Sequence, residues 1–295
     1  MQIRNRQKRV VRLSCSIHGK GTFMKIRASV IGGIIWNETK GMTPVPTQKL
    51  FDDLYVVQDL FANVFLIKDG EDYVAIDAGI SAANIKSELA SLHVDARNVK
   101  AVLVTHSDID HVNGIAAFAD SEVYLPEAEV PMLNNFRITM SECEMSDAAE
   151  TYKDFEQSGE LNLFAGLEYW PDDDIEFAEG ENGGRISFLK NRLDRSYKTV
   201  GDGETLKIGN ISIETILIDG HTKGLTAYLI NKKYLFVGDG VSLVDGQLRP
   251  FNSFLNLNEA LHRKSIEKIK NLKGFKYLFT QHYGFTDDAQ MSLAG

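Results

Sequence analysis

The chain has 295 residues, enough for one large domain or two small ones with a sizeable core. Hydrophobic residues make up 43% and charged residues 25%, as in an ordinary globular protein. No run approaches the roughly 18 consecutive apolar residues of a membrane span. The formal charge is −9, but residues 1–27 hold eight Lys or Arg and no Asp or Glu. The remainder therefore sets 24 basic against 41 acidic residues, a balance of −17. Such a surface repels phosphate backbones and argues against nucleic acid as the main partner.

Residues 1–45 read as a basic, flexible extension, with Met24 a second candidate start. Residues 46–295 read as the folded domain. Cys15 and Cys143 form neither a CxxC pair nor a disulfide framework, which fits a reducing compartment, and no secretory cleavage site is evident; the expectation is cytoplasmic. In chain order, Leu54–Gln58 and Asn63–Lys68 are β-rich. The turn Asp69-Gly70-Glu71-Asp72 then joins the second of these to Tyr73–Ile76 as a hairpin. Ser81–Leu92 is helical in pattern, and Val99–Val104, broken only by Lys100, has the signature of a buried central strand. Gly114–Ala119 predicts a helix and Glu122–Leu125 a strand.

The stretch 126–196 is acidic, aromatic-bearing and weakly periodic, an elaborated connection with one or two helices expected in it. Strands return at Thr205–Ile208, Asn210–Leu217, Thr226–Ile230 and Tyr234–Val237. Leu257–Leu272 is an amphipathic helix with Leu257, Leu261, Ile269 and Leu272 on its apolar side, and Tyr277–Thr280 is a last strand. Two sheets inside and helices outside is the layering this order implies.

The chemistry concentrates in Thr105-His106-Ser107-Asp108-Ile109-Asp110-His111, directly after the apolar strand. Four side chains able to bind a divalent metal fall within six residues, and imidazole nitrogen with carboxylate oxygen suits zinc, manganese or iron. A polar loop whose Asp110 caps the next helix is the plain alternative. Three of the other histidines decide between the two. His221 lies in Asp219-Gly220-His221-Thr222 and His282 in Gln281-His282-Tyr283-Gly284, both at strand ends or in loops. His262 lies mid-helix beside Arg263 and Lys264, where a solvated face is expected. Asp239 follows another apolar strand, in Val237-Gly238-Asp239-Gly240. There is no Gly-x-Ser-x-Gly elbow to suggest a serine nucleophile.

The ordered set Ile76-Asp77-Ala78-Gly79, Thr-His-x-Asp-x-Asp-His, Asp-Gly-His-Thr, Gly-Asp and a late His resembles the five-part pattern of the metallo-β-lactamase superfamily, over roughly residues 50 to 285. The resemblance implies an α/β, four-layer αββα sandwich. It implies a first metal site of His106, Asp108 and His221, a second of Asp110, His111 and His282, and Asp239 bridging the two. Asp77 would orient the ligand loop through hydrogen bonds. Two divalent ions are implied, zinc first, with manganese or iron also accommodated. A metal-bound hydroxide would then attack a small ester, lactone, thioester or amide, with Asp110 orienting the nucleophile and Tyr283 donating to the oxyanion.

Asp108 departs from the pattern, since most hydrolases of this superfamily carry His there. The flavodiiron branch carries a carboxylate at that position, so an iron-dependent oxidoreductase is the alternative. That branch also has a flavodoxin domain, for which the 295 residues hold no segment. The partner expected is a small molecule, with neither nucleic acid nor membrane; oligomeric state is not legible.

Overall fold

The computed structural model describes residues 41–133, 193, 195–251 and 255–287, and the backbones of four further strands, 24–27, 136–140, 174–180 and 183–188. Cys15 and Cys143 lie outside the described residues. So do the side chains of Phe136, Tyr152, Phe155, Phe164, Tyr169, Trp170 and Phe254.

Two sheets form the centre. The first runs in space Lys198–Val200, Glu122–Pro126, Val99–Leu103, Asp72–Ile76, Ala62–Asp69, Leu54–Asp59, Gln48–Phe51. The second runs Thr205–Ile208, Ile211–Leu217, Thr226–Ile230, Tyr234–Phe236, Tyr277–Phe279, Phe285–Thr286. Because side chains alternate along a strand, each sheet offers two faces. Leu54, Val56, Phe65, Ile67, Val74, Ile76 and Leu103 point inward, where they meet Ile213, Tyr228, Ile230, Tyr234, Phe236 and Phe279 of the second sheet. On the outer face of the first sheet, Val57, Val64, Leu66, Ala75 and Val102 pack against Ile85 and Leu89 of the helix Ala82–Ser91 and against Ile115 and Phe118 of a 3-10 segment. Ile266 and Ile269 of the helix Glu259–Asn271 cover Leu229, Leu235 and Leu278 on the far side of the second sheet. The result is helix, sheet, sheet, helix: an αββα sandwich.

Strand Val99–Leu103 pairs in parallel with both neighbours, which is why its sequence is apolar on both faces. Gly114–Ala119 forms 3-10 turns over Asn113–Phe118 rather than an α-helix. The helix near the C-terminus buries His262, Ser265, Ile266 and Ile269. Its apolar stripe is therefore set by the i, i+3, i+4, i+7 spacing, and His262 is a core residue, not a solvated one. Arg263 and Lys264, whose charge suggests a wet face, point elsewhere on the same turn.

Among the described residues, three strands lie in the connection: Phe136–Met140, Asp174–Gly180 and Gly183–Phe188. They form a sheet with Met24–Arg27, which pairs antiparallel with Asp174–Gly180. The alternation Asp-Ile-Glu-Phe and the glycines of 180–184 carry the sequence signal for that hairpin.

Candidate metal centre

Every candidate ligand follows a strand at the same end of the sandwich. Asp77 ends Asp72–Ile76, the 105–111 loop ends Val99–Leu103, Asp239 ends Tyr234–Phe236 and His282 ends Tyr277–Phe279. His221 sits in the turn between Ile211–Leu217 and Thr226–Ile230. The two sheets thus deliver ligands to a shared rim.

There the side chains converge in two triads joined by one residue. Asp108 Oδ2 lies 3.6 Å from His106 Nε2 and 3.4 Å from His221 Nε2. Asp110 Oδ2 lies 3.7 Å from His111 Nε2 and 3.3 Å from His282 Nε2. Asp239 divides its oxygens between them. Oδ2 stands 3.8 Å from His106 and 3.4 Å from His221, while Oδ1 stands 3.6 Å from His111 and 3.2 Å from His282. The atoms of His106, Asp108 and His221, and those of Asp110, His111 and His282, each lie within 4.8 Å of one another.

What makes this a centre rather than a polar cluster is which nitrogens are used. Each Nδ1 has a protein partner: His106 on Thr105 Oγ1 at 3.0 Å, His111 on Asp77 Oδ2 at 2.9 Å, His221 on Asn256 Oδ1 at 3.2 Å and His282 on the Phe61 carbonyl at 2.7 Å. With the proton assigned to Nδ1 by these partners, each Nε2 presents a lone pair inward. All four Nε2 atoms and Asp239 Oδ1 are buried and make no hydrogen bond within the described residues. An unpaired buried polar group costs roughly 1–3 kcal/mol, so five facing one point demand a further partner. A divalent cation fits that donor set: nitrogen and oxygen ligands, three carboxylates to balance its charge, and outer partners that fix each ring.

Burial opposes charge throughout the cluster, but the opposed groups outweigh it. His106 and His221 hold Asp108 below the usual carboxylate range, and His111 and His282 do the same for Asp110 and Asp239. Conversely, Asp110, Asp77 and Asp239 raise His111, Asp108 and Asp239 raise His221, and Asp239 with Asp110 pushes His282 up to about 10.

Asp77 is the hub behind the ligands. Its Oδ1 accepts from Thr105 N at 2.7 Å, and its Oδ2 accepts from Thr105 Oγ1, His111 Nδ1 and, at 2.7 Å, Gln281 Nε2. Its φ of 61° is unusual for a non-glycine residue and is held by these bonds and by Asp77 N donating to Leu103 O. Gly220 and Gly238 are needed for close approach within the protein. A Cβ at Gly220 would lie 2.2 Å from His262 N, and one at Gly238 would lie 2.9 Å from Thr105 Oγ1. Tyr283 is placed beside the centre through Phe251: the two rings meet edge-on at 6.2 Å, and Phe251 also meets His221 at 5.0 Å and His282 at 6.0 Å.

Asn256 and Glu129 escaped the sequence reading. Neither belongs to a spaced motif, and a lone Glu in an acidic connection carries no local signal that it is buried.

A two-sheet sandwich with its His and Asp cluster at one rim defines a class of metal-site proteins. Residues 57–135 match the family model of the metallo-beta-lactamase superfamily. A subclass B3 metallo-β-lactamase of Bradyrhizobium japonicum superposes with a TM-score of 0.52 at 20% identity, covering 82% of this chain and 80% of that one. A metallo-β-lactamase family protein from Thermus thermophilus gives 0.52 at 19%, covering 83% and 78%. A B3 metallo-β-lactamase described as the first with an active-site glutamic acid gives 0.55 at 19%, covering 88% and 90%. No curated protein matches the sequence. The chain has the metallo-β-lactamase fold, and the superfamily its motifs resemble is the one these comparisons support.

Proposed function

We propose that the protein is a metal-dependent hydrolase of small molecules whose centre takes two divalent ions. The observation that carries this reading is the set of four orphaned Nε2 atoms and one Asp239 oxygen, split between two triads that share Asp239. His106, Asp108 and His221 would hold one ion, Asp110, His111 and His282 the other, and Asp239 both. Zinc is the first expectation, with manganese or iron accommodated by the carboxylate-rich set. When bound, such ions supply Lewis acidity and a water acidic enough to serve as nucleophile near neutral pH.

The chain's own residues do the rest. The histidine side chains are at most 2% exposed, whereas Asp110 is 15% and Asp108 19% exposed, so substrate approaches from the carboxylate side. Asp110 is the group at that mouth able to orient the attacking water, accept the proton that water gives up and return it to the leaving group. Phe251, itself buried, sets an apolar ring against His221 and His282. Tyr283 is assigned as donor to the developing oxyanion. Tyr283→Phe is expected to lower kcat about 100–1000-fold while metal content stays constant; an unchanged kcat removes Tyr283 from the mechanism. The substrates are small esters, lactones, thioesters or amides, and the acidic surface disfavours nucleic acid. No helix among the described residues is long and apolar enough to cross a membrane.

The deciding experiment is elemental analysis of protein purified without added metal, followed by a screen of those four substrate classes. Two zinc or manganese ions per chain with hydrolysis of one class supports the reading. Bound iron with oxygen consumption and no hydrolysis overturns it.

A further inference from the structure

We propose that Glu129 is a positioning residue that sets one half of the centre, the triad His106, Asp108 and His221, by clamping together the two loops that carry it. The inference rests on the metal-binding reading above.

Glu129 lies in the 3-10 turn Glu127–Met132, just after the strand Glu122–Pro126, and is 0% exposed. Its Oε2 accepts from Ser107 N at 2.8 Å and from Ser107 Oγ at 2.6 Å, and its Oε1 accepts from Gly224 N at 2.7 Å. Ser107 stands between His106 and Asp108, and Gly224 lies three residues past His221. One buried carboxylate therefore spans from the ligand loop of the first sheet to the ligand loop of the second. Burying a carboxylate is costly unless it is fully bonded, and here both oxygens are used on these two loops. The approach leaves no room for error: a Cβ on Gly224 would fall 2.7 Å from Glu129 N.

The fold has other ties between the same segments. Thr226 N donates to Thr105 O at 2.9 Å, and Tyr228 Oη donates to Val104 O at 2.7 Å. These hold the sheets together upstream of Ser107, so Glu129 acts on where His106 and Asp108 sit against His221 rather than on whether the sheets meet. The other triad is held directly by Asp77 behind His111 and by the Phe61 carbonyl behind His282; Asp77 reaches the first triad only through Thr105, and Glu129 bonds neither of these two histidines. The two halves are consequently separable by mutation.

Glu129→Gln keeps the shape but sets an amide NH2 against a backbone N–H donor. Metal-free wild type and variant are titrated with Co2+ by calorimetry and visible absorption, with circular dichroism melts as the check on folding. Wild type is expected to bind two ions, and E129Q to weaken one of them by roughly 10–100-fold, the range for lost ligand supports, and to leave the other unchanged. Repeating the substitution on His221→Ala, where the first half is already disabled, adds no further loss, whereas on His282→Ala the full loss appears. Equal weakening of both ions, or none, overturns the assignment. Should E129Q not fold, Ser107→Ala, which removes one of the three bonds, weakens the same ion by a smaller factor; unaltered binding there overturns the proposal too. Wild type that binds no divalent ion overturns the hydrolase reading and this inference together, while two bound ions with an insensitive E129Q overturn the role of Glu129 alone.

Discussion

Asp108 gives each half of the centre the same composition, two imidazoles, one carboxylate of its own and one oxygen of Asp239. Oxygen donors shift preference toward harder ions relative to zinc. Asp108→His is therefore expected to raise the zinc-to-manganese ratio taken up in competitive dialysis; an unaltered ratio would show that Asp108 is not a ligand. Protons compete for the same atoms. Asp239 and Asp110 push His282 up to about 10, so in the metal-free protein a second proton, beyond the one on Nδ1, competes with an ion for the Nε2 lone pair. Metal affinity should fall as pH falls, and calorimetry at pH 7 in buffers of different ionisation heat should report released protons; buffer-independent heats would refute this. The candidate ligands were legible in the sequence because each polar motif directly follows an apolar strand, so a strand end fixes its place. Their supports were not: Asn256 and the Phe61 carbonyl reach the His221 and His282 rings, and Glu129 reaches Ser107 in the ligand loop, across 22 or more residues of chain.

The helix Glu259–Asn271 ties the His221 turn to the outer layer. Asn258 caps it through Leu261 N, Asn258 N donates to Gly220 O, and Ser265 Oγ donates to Asp219 O. Its His262 accepts from Phe251 N at 3.2 Å, and burial, with the nearby His221, depresses it from 6.5 to about 4. The folded protein then binds fewer protons than the unfolded chain between those two values. The stabilisation is complete above 6.5 and is lost as pH descends through 4, by about 3 kcal/mol at most. Urea unfolding of metal-free protein at pH 6.5 and 4 should show a smaller drop for His262→Gln, which keeps an acceptor for Phe251; equal drops would sink the argument. Charged neighbours at 263 and 264 hid this residue from pattern reading, since adjacent positions on a helix face different ways. The strands of the connection were hidden for another reason, their partner Met24–Arg27 lying in a segment whose charge reads as an extension.

At the scale of the molecule, the layering was readable from the order of strands and helices. The meeting of the sheets was not, because inward and outward faces of doubly buried strands look alike. The candidate ligands come from both sheets, His106 to His111 from one and His221, Asp239 and His282 from the other, so ions bound there would cross-link the sandwich. Chelation should lower the melting temperature, with about 4 kcal/mol of stability restored when free metal reaches about a thousand times its Kd; a melting curve indifferent to chelator would contradict it. The opposite rim has its own bonds: Asn210 N donates to Asp69 Oδ2, while Lys233 and Tyr234 hold Asp53. The turn Asp69–Asp72 stands there, a full strand's length from Asp77 and Phe61. A lineage carrying this chain has a conservative end and a permissive one: new sequence can enter at Gly70 and Glu71 and be tried by selection while the chemistry at the other end goes on undisturbed.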